Sequence, residues 1–247
     1  MSWANYKDKV SRYFPFSNTE WKHFIIVVLV FALMFSFTEW GVERFDAKLG
    51  FRNFAIAIFI VGLTVFVHHA AQRLWGIRKG YRIENKVWWP GILIALLITF
   101  LTNGKVLLFF ATAMQAHFLP THRLGSFRYG PSIRQIGAAA FAGPIACVLI
   151  GFILYVLGPT AMATKFFTFS LLFAGYNMLP IPPLDGFLVF VGAKNSYGGT
   201  FTYTSTVAGF LGFFALYFLA ALSFWWSFVL ALIVGFFGWF VFQALVK

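Results

Sequence analysis

Charged side chains are scarce in this sequence. Only 11% of its 247 residues are charged, Asp and Glu together number 7, and a single cysteine, Cys147, is present. Neither Asn195 to Val246 nor Gln135 to Thr164 contains a Lys, Arg, Asp or Glu. Gaps of that length exclude an ordinary soluble domain, whose surface must be wetted at short intervals. The lone cysteine, set in an apolar run, excludes a disulfide framework and a thiol-rich metal site. Basic residues outnumber acidic ones for a net charge of +12, yet they are scattered among short loops and form no stripe or recognisable nucleic-acid module, which excludes nucleic-acid binding. No internal repeat of the kind found in many secondary transporters is visible, and no Pro/Gly/Ser-rich linker divides the chain.

Apolar residues fill the space that charge leaves. The chain is 60% hydrophobic with a mean hydropathy of +0.81 and 35 phenylalanines, more apolar surface than one aqueous core can bury. A helix needs roughly 20 apolar residues to cross a hydrocarbon layer of about 30 Å. On that measure we expect an all-α, multi-pass membrane protein with six or seven apolar segments, near 23–40, 53–72, 88–103, 105–118, 135–158, 164–180 and 206–246, the last folded into a C-terminal helical hairpin near Ser223 to Ser227. Segments 88–103 and 105–118 flank Asn103-Gly104-Lys105, a turn signal, and read as a short helical hairpin. Paired Trp88-Trp89 and Trp225-Trp226 suit the membrane interface. Residues 1–22 are polar, and no small-residue cleavage signal follows the first apolar run, which therefore reads as a retained span. Placing residues 1–22, 72–87, 118–134, 181–205 and the C-terminus on one side gathers most of the Lys and Arg there, so that side, with the N-terminus, is expected to be cytoplasmic. We expect residues 23–247 to form one membrane domain.

The most specific stretch is Asn177-Met-Leu-Pro-Ile-Pro-Pro-Leu-Asp-Gly186. Three prolines must break the preceding helix, so the residues alone place Asp185 in a non-helical segment near the membrane, where such backbone is tolerated only against protein or a water-filled cavity. All ten residues resemble the NxxPxPxLDG motif of the site-2 protease family, intramembrane zinc metalloproteases. Val67-His68-His69-Ala70-Ala71-Gln72-Arg73 and Ala142-Gly143-Pro144 follow the family's order, so the resemblance covers a core of about 53–190. In that family two histidines of HExxH and the aspartate of LDG hold zinc, and the glutamate activates water. The resemblance puts His68 at the first histidine and Asp185 at the aspartate. It also puts His69 at the catalytic glutamate and Gln72 at the second histidine, so this is a degenerate, HExxH-lacking pattern. Cys147 stands where the family's AGPxxN motif has asparagine.

Residues 68 and 72 lie one helical turn apart and share a face, whereas residue 69 points about 100° away. Gln72 offers a neutral amide oxygen, and catalytic zinc uses three strong protein ligands plus water, so His68 and Asp185 alone make a weak metal site. His69 has the base position but no metal to serve; His117 and His122, spaced by five, read as loop residues at the cytoplasmic interface, and His23 as interfacial. On residues alone, His68 and His69 read as interfacial or bundle-facing histidines with satisfied hydrogen bonds, although the cost of intramembrane ionisable groups keeps a metal or proton-linked reading open.

The resemblance then implies a catalytically degenerate membrane protein with no resident cofactor. It would act as a binding partner or structural subunit of a membrane assembly, in contact with the bilayer and with other membrane proteins or a transmembrane peptide. Asn177, Pro180, Pro182 and Pro183 are the expected binding residues. The alternative is an active intramembrane zinc metallopeptidase with a rebuilt site of His68, Asp185 and either His69 or a loop histidine.

Overall fold

The computed structural model describes residues 2–41, 45–109, 112–119, 132–158, 160–178 and 183–194. The expected C-terminal hairpin of 206–246, with Pro180, Pro182 and His122, lies outside the described residues. Helix α1 (Trp3–Tyr13) is capped by Ser2, whose hydroxyl accepts from the Asn5 N–H. Helix α2 (Asn18–Phe35) begins on a reciprocal cap: Ser17 Oγ accepts from Glu20 N at 3.2 Å while Glu20 Oε2 accepts from Ser17 N at 2.8 Å. Helix α3 (Ala47–Lys79) is capped by Asp46 and stops at Gly80, whose φ of 89° is a left-handed value that glycine adopts without strain. Its last turn carries Arg78 and Lys79, the charge that suits a helix C-terminus.

Two strands follow, where the sequence pointed to helix and loop. Strand β1 (Tyr81–Val87) pairs antiparallel with β2 (Thr112–Phe118), Tyr81 opposite Phe118 and Val87 opposite Thr112. The chain is thus mostly helical but not all-α, and 105–118 is not the second half of a helical hairpin. Between the strands runs α4 (Trp89–Leu101), with a proline in its first turn. The expected turn is present: Asn103 and Gly104 have φ of 50° and 73°, and a Cβ on Gly104 would lie 2.7 Å from Phe37 Cδ1. The chain leaves that turn extended instead of helical.

Helices α5 (Ile133–Leu157), α6 (Ala161–Asn177) and α7 (Asp185–Lys194) complete the described chain. Helix α5 packs against α3, α6 and α7 at once. Its glycines permit this: at Gly151 a Cβ would lie 3.0 Å from Ser170 Cβ on α6. Asp185 is the first residue of α7, so the expected non-helical setting is corrected: the proline run ends the preceding helix, and the aspartate opens the next, where a carboxylate suits the helix N-terminus.

A cluster of phenylalanines from α2, α6 and the irregular stretch preceding β2 fills the centre. Phe109 meets Phe31 at 5.4 Å and Phe169 at 5.0 Å between ring centroids, both edge to face, and Phe35 meets Phe169 at 5.2 Å. Helices α2, α3 and α5, of 18, 33 and 25 residues, are long and apolar enough to cross a membrane, while leucine, isoleucine and phenylalanine side chains such as Leu93, Leu97 and Phe152 stand exposed on the outside of the bundle. This is the pattern of a membrane protein. Helix α3 is about 50 Å long at 1.5 Å per residue, more than the thickness of the hydrocarbon layer.

Candidate functional site

Four stretches distant in sequence converge near the middle of α3. His68 and Gln72 sit one turn apart on the face that meets α5, as their spacing predicts, and both are buried. His68 Nε2 faces Asp185 Oδ2 at 2.8 Å, so the two outermost parts of the suspected site, separated by 117 residues, are in direct contact. The first turn of α7 carries the carboxylate there. His68 Nδ1 lies 3.7 Å from Cys147 Sγ on α5, and that thiol donates to the Thr64 carbonyl one turn earlier on α3 at 3.4 Å. Thr64 and Ser170 hydroxyls meet at 3.4 Å just beyond. The Phe173 ring closes the remaining side of His68, centroids 5.1 Å apart.

Gly143 makes this approach possible. A Cβ at that position would fall 2.8 Å from His68 Cε1 and Nε2 and 2.9 Å from Gln72 Cγ, distances no side chain could occupy. The Ala142-Gly143-Pro144 stretch thus functions as the contact that lays α5 on the histidine turn. Gln72 Nε2 donates to the Ala140 carbonyl at 3.3 Å, and its Oε1 is buried with no hydrogen-bond partner among the described residues.

His69 goes elsewhere. Its ring stands 6.3 Å from Phe24 of α2, edge on, and its Nε2 is buried without a partner among the described residues. The rotation of about 100° per residue turns it away from the His68–Asp185 contact, although the two imidazole centroids stay 5.8 Å apart, edge to face. Asn177 ends α6 and is buried; its Nδ2 donates to the Phe173 carbonyl at 2.8 Å and the Phe109 carbonyl at 3.4 Å, leaving Oδ1 unpaired among the described residues. Pro183 lies in the turn that leads into α7. His117 is exposed on β2 opposite Arg82, in a strand and not the expected loop.

Sequence reasoning missed Thr64, Ser170 and Phe173. Thr64 was accessible through helical spacing, one turn before His68, but hydroxyls in apolar helices commonly bond their own backbone, as Thr64 does to the Ile60 carbonyl at 2.9 Å.

As a metal centre the donor set falls short. Among the described residues, no group of three His, Cys, Asp or Glu side chains converges. His68 and Asp185 bond each other, Cys147 lies on the far nitrogen of the imidazole, and the third corner holds the neutral Gln72 amide. Catalytic zinc takes three strong protein donors and keeps an open position for water. The described residues supply two of those strong donors, His68 and Asp185, and one neutral amide, Gln72.

No family model matches the chain, and no solved structure matches it significantly. The chain is similar to a protein of Methanocaldococcus jannaschii named "Putative zinc metalloprotease", 28% identical over 192 residues, which cover 70% of this chain and 84% of that relative. The similarity agrees with the metalloprotease resemblance carried by the Asn177-to-Gly186 motif.

Proposed function

We propose that this chain is a multi-pass membrane protein with its N-terminus in the cytoplasm, built on a site-2-protease-like core in one membrane domain. It lacks peptidase chemistry and acts by binding, as a partner or structural subunit of a membrane assembly. The supporting observation is the His68–Asp185 pair, buried and closed on itself at 2.8 Å, with Gln72 at the third corner. Peptide hydrolysis on this scaffold needs a metal to polarise the carbonyl and a carboxylate to activate water, and the two requirements act together. Here the ligand position and the base position have both changed, to Gln72 and His69, and His69 faces α2.

What remains suits binding. Asn177 has spent both amide protons on backbone carbonyls but keeps an acceptor oxygen. An extended transmembrane peptide that displaced the packing over this buried oxygen, beside the Pro180, Pro182 and Pro183 positions, would fill it with a backbone N–H. The energetic logic is ordinary: a buried acceptor without a donor costs about 1–3 kcal/mol, and a ligand that supplies the donor recovers it.

The competing reading, an active zinc peptidase with a rebuilt site, is favoured by the name of the 28% identical relative. Elemental mass spectrometry on chelator-free, detergent-purified protein separates the two. We expect no stoichiometric zinc in the wild type or in His68→Ala. Near-stoichiometric zinc that disappears in the variant would overturn the proposal and direct attention to cleavage assays.

A further inference from the structure

Away from the His68 site, a groove of about 890 Å³ opens between the start of α1, the C-terminal end of α3 and the first half of α5. Its floor is apolar and is made deep by small side chains: Ala142 and Ala146 on α5, four residues apart and therefore on one face, with Leu149 beyond them. Trp3 and Trp75 wall it. Helix α1 is held there by Tyr6, whose hydroxyl donates to the Leu74 carbonyl at 3.1 Å.

Arg78 and Lys79 also line the groove, both exposed, and among the described residues neither is in an ion pair. Their cationic groups flank the Trp75 ring, Arg78 Cζ 5.6 Å and Lys79 Nζ 5.8 Å from its centroid. Arg134, in the first turn of α5, is exposed at the same end because α5 runs antiparallel to α3.

We propose that this groove binds one anionic phospholipid, its phosphate held by Arg78 and Lys79 and an acyl chain laid along Ala142, Ala146 and Leu149. The division of chemistry is that of an amphiphile. Cations at the rim recognise a headgroup, indoles suit the level of the glycerol, and the alanine-lined floor accepts hydrocarbon. Charge complementarity selects the occupant, since the described acidic residues nearest in sequence to the groove lining, Asp8 on α1 and Glu84 on β1, are already paired with Arg12 at 2.9 Å and Arg82 at 3.2 Å.

The test uses full-length protein in detergent, stripped of co-purifying lipid and titrated with phosphatidylglycerol or phosphatidylcholine, with bound lipid read by native mass spectrometry. The wild type is expected to retain about one phosphatidylglycerol per chain at concentrations where phosphatidylcholine is not retained. Arg78→Gln with Lys79→Gln should weaken that retention about tenfold or more, each cation near a membrane surface being worth several-fold. Ala146→Phe, which fills the floor and leaves the charges, should remove it. Equal retention of the two lipids by the wild type overturns the proposal, as does unchanged phosphatidylglycerol retention in both variants. Displacement of the lipid by inorganic phosphate alone, or a co-purifying protein helix in its place, overturns it as well.

Discussion

Gly143 fixes the distance between α3 and α5 at the one level where His68, Gln72 and Asp185 meet. Its missing Cβ is space that the imidazole and the Gln72 side chain already use. Gly143→Ala must therefore push the helices apart or drive His68 off Asp185, and overpacking of this kind costs about 1–3 kcal/mol. Gly158 is the natural comparison, since nothing lies within 4 Å of a Cβ built there and its φ of −170° is ordinary extended backbone. Thermal unfolding in detergent should show a lower midpoint for Gly143→Ala and a change within about 0.5 kcal/mol for Gly158→Ala. Equal midpoints for the two would mean that α5 does not rest on the histidine turn. This contact was legible in part: Ala142-Gly143-Pro144 marked the position, but not that the glycine faces His68. Arg73 shows the opposite case, a residue passed over in the sequence that is fully buried. It forms an ion pair with Glu20 and donates to the Phe14, Pro15 and Ile83 carbonyls, so one guanidinium ties the approach to α2 to the end of α3 and to β1. Breaking such a pair strands a buried charge, whereas the fully bonded pair adds little to stability beyond fixing the arrangement.

At the scale of elements, hydropathy located the long helices well and the strands not at all. Helices α3 and α5 were expected from 53–72 and 135–158 and run Ala47–Lys79 and Ile133–Leu157; α5 differs by one or two residues at each end, while the Asp46 cap and the charged last turn extend α3 past its apolar middle. The strands carry a period-two pattern, Tyr81-Arg-Ile-Glu-Asn-Lys-Val87, with Tyr81, Ile83 and Asn85 buried and the intervening residues more open. That alternation is the ordinary signature of a half-buried strand. It was obscured because charge in 81–87 reads as loop, and the apolar content of 112–118 reads as a continuation of helix. What joins the two is a long-range pairing that no local window contains. The register makes a direct prediction. Glu84 and Gln115 are partners, and both side chains are at least partly exposed, so Glu84→Cys with Gln115→Cys should close a disulfide on mild oxidation, partner Cα atoms in antiparallel strands lying about 4.5–5.5 Å apart. The pair Glu84→Cys with Ala116→Cys, one residue out of register and facing the opposite side of the sheet, should cross-link poorly. Comparable yields, read as a mobility shift in non-reducing gels, would overturn the pairing.

For the whole molecule, the proposed arrangement in the membrane rests on where charge collects at the two ends of α3. Arg78, Lys79 and the basic α1 lie at one end, while Lys48 and Arg52 lie at the other, where Lys165 of α6 reaches Glu39 at 2.5 Å. Lys48, Arg52 and Lys165 fall outside the stretches that gather most of the Lys and Arg, and the Lys165–Glu39 contact, with the Asn53 amide donating to the Glu39 carbonyl, brings their segments to the same end of the bundle. His68 stands 11 residues before the end of α3 and about one turn inside the end of the apolar span expected at 53–72, so in the proposed arrangement the His68–Asp185 pair lies within the membrane toward its cytoplasmic side. In the proposed arrangement the positive-inside bias sets direction: the richer end, with Lys79, would face the cytoplasm and Lys48 would face away. The single native cysteine, Cys147, is buried, which makes surface cysteines readable against a low background. A membrane-impermeant maleimide added outside sealed, right-side-out vesicles should label Lys48→Cys and spare Lys79→Cys until the membrane is permeabilised. Labelling of Lys79→Cys from outside with Lys48→Cys protected would keep the span and reverse its direction. Labelling of both from one face would mean that α3 does not cross, and the proposed setting of the His68–Asp185 pair within the membrane would fall with it.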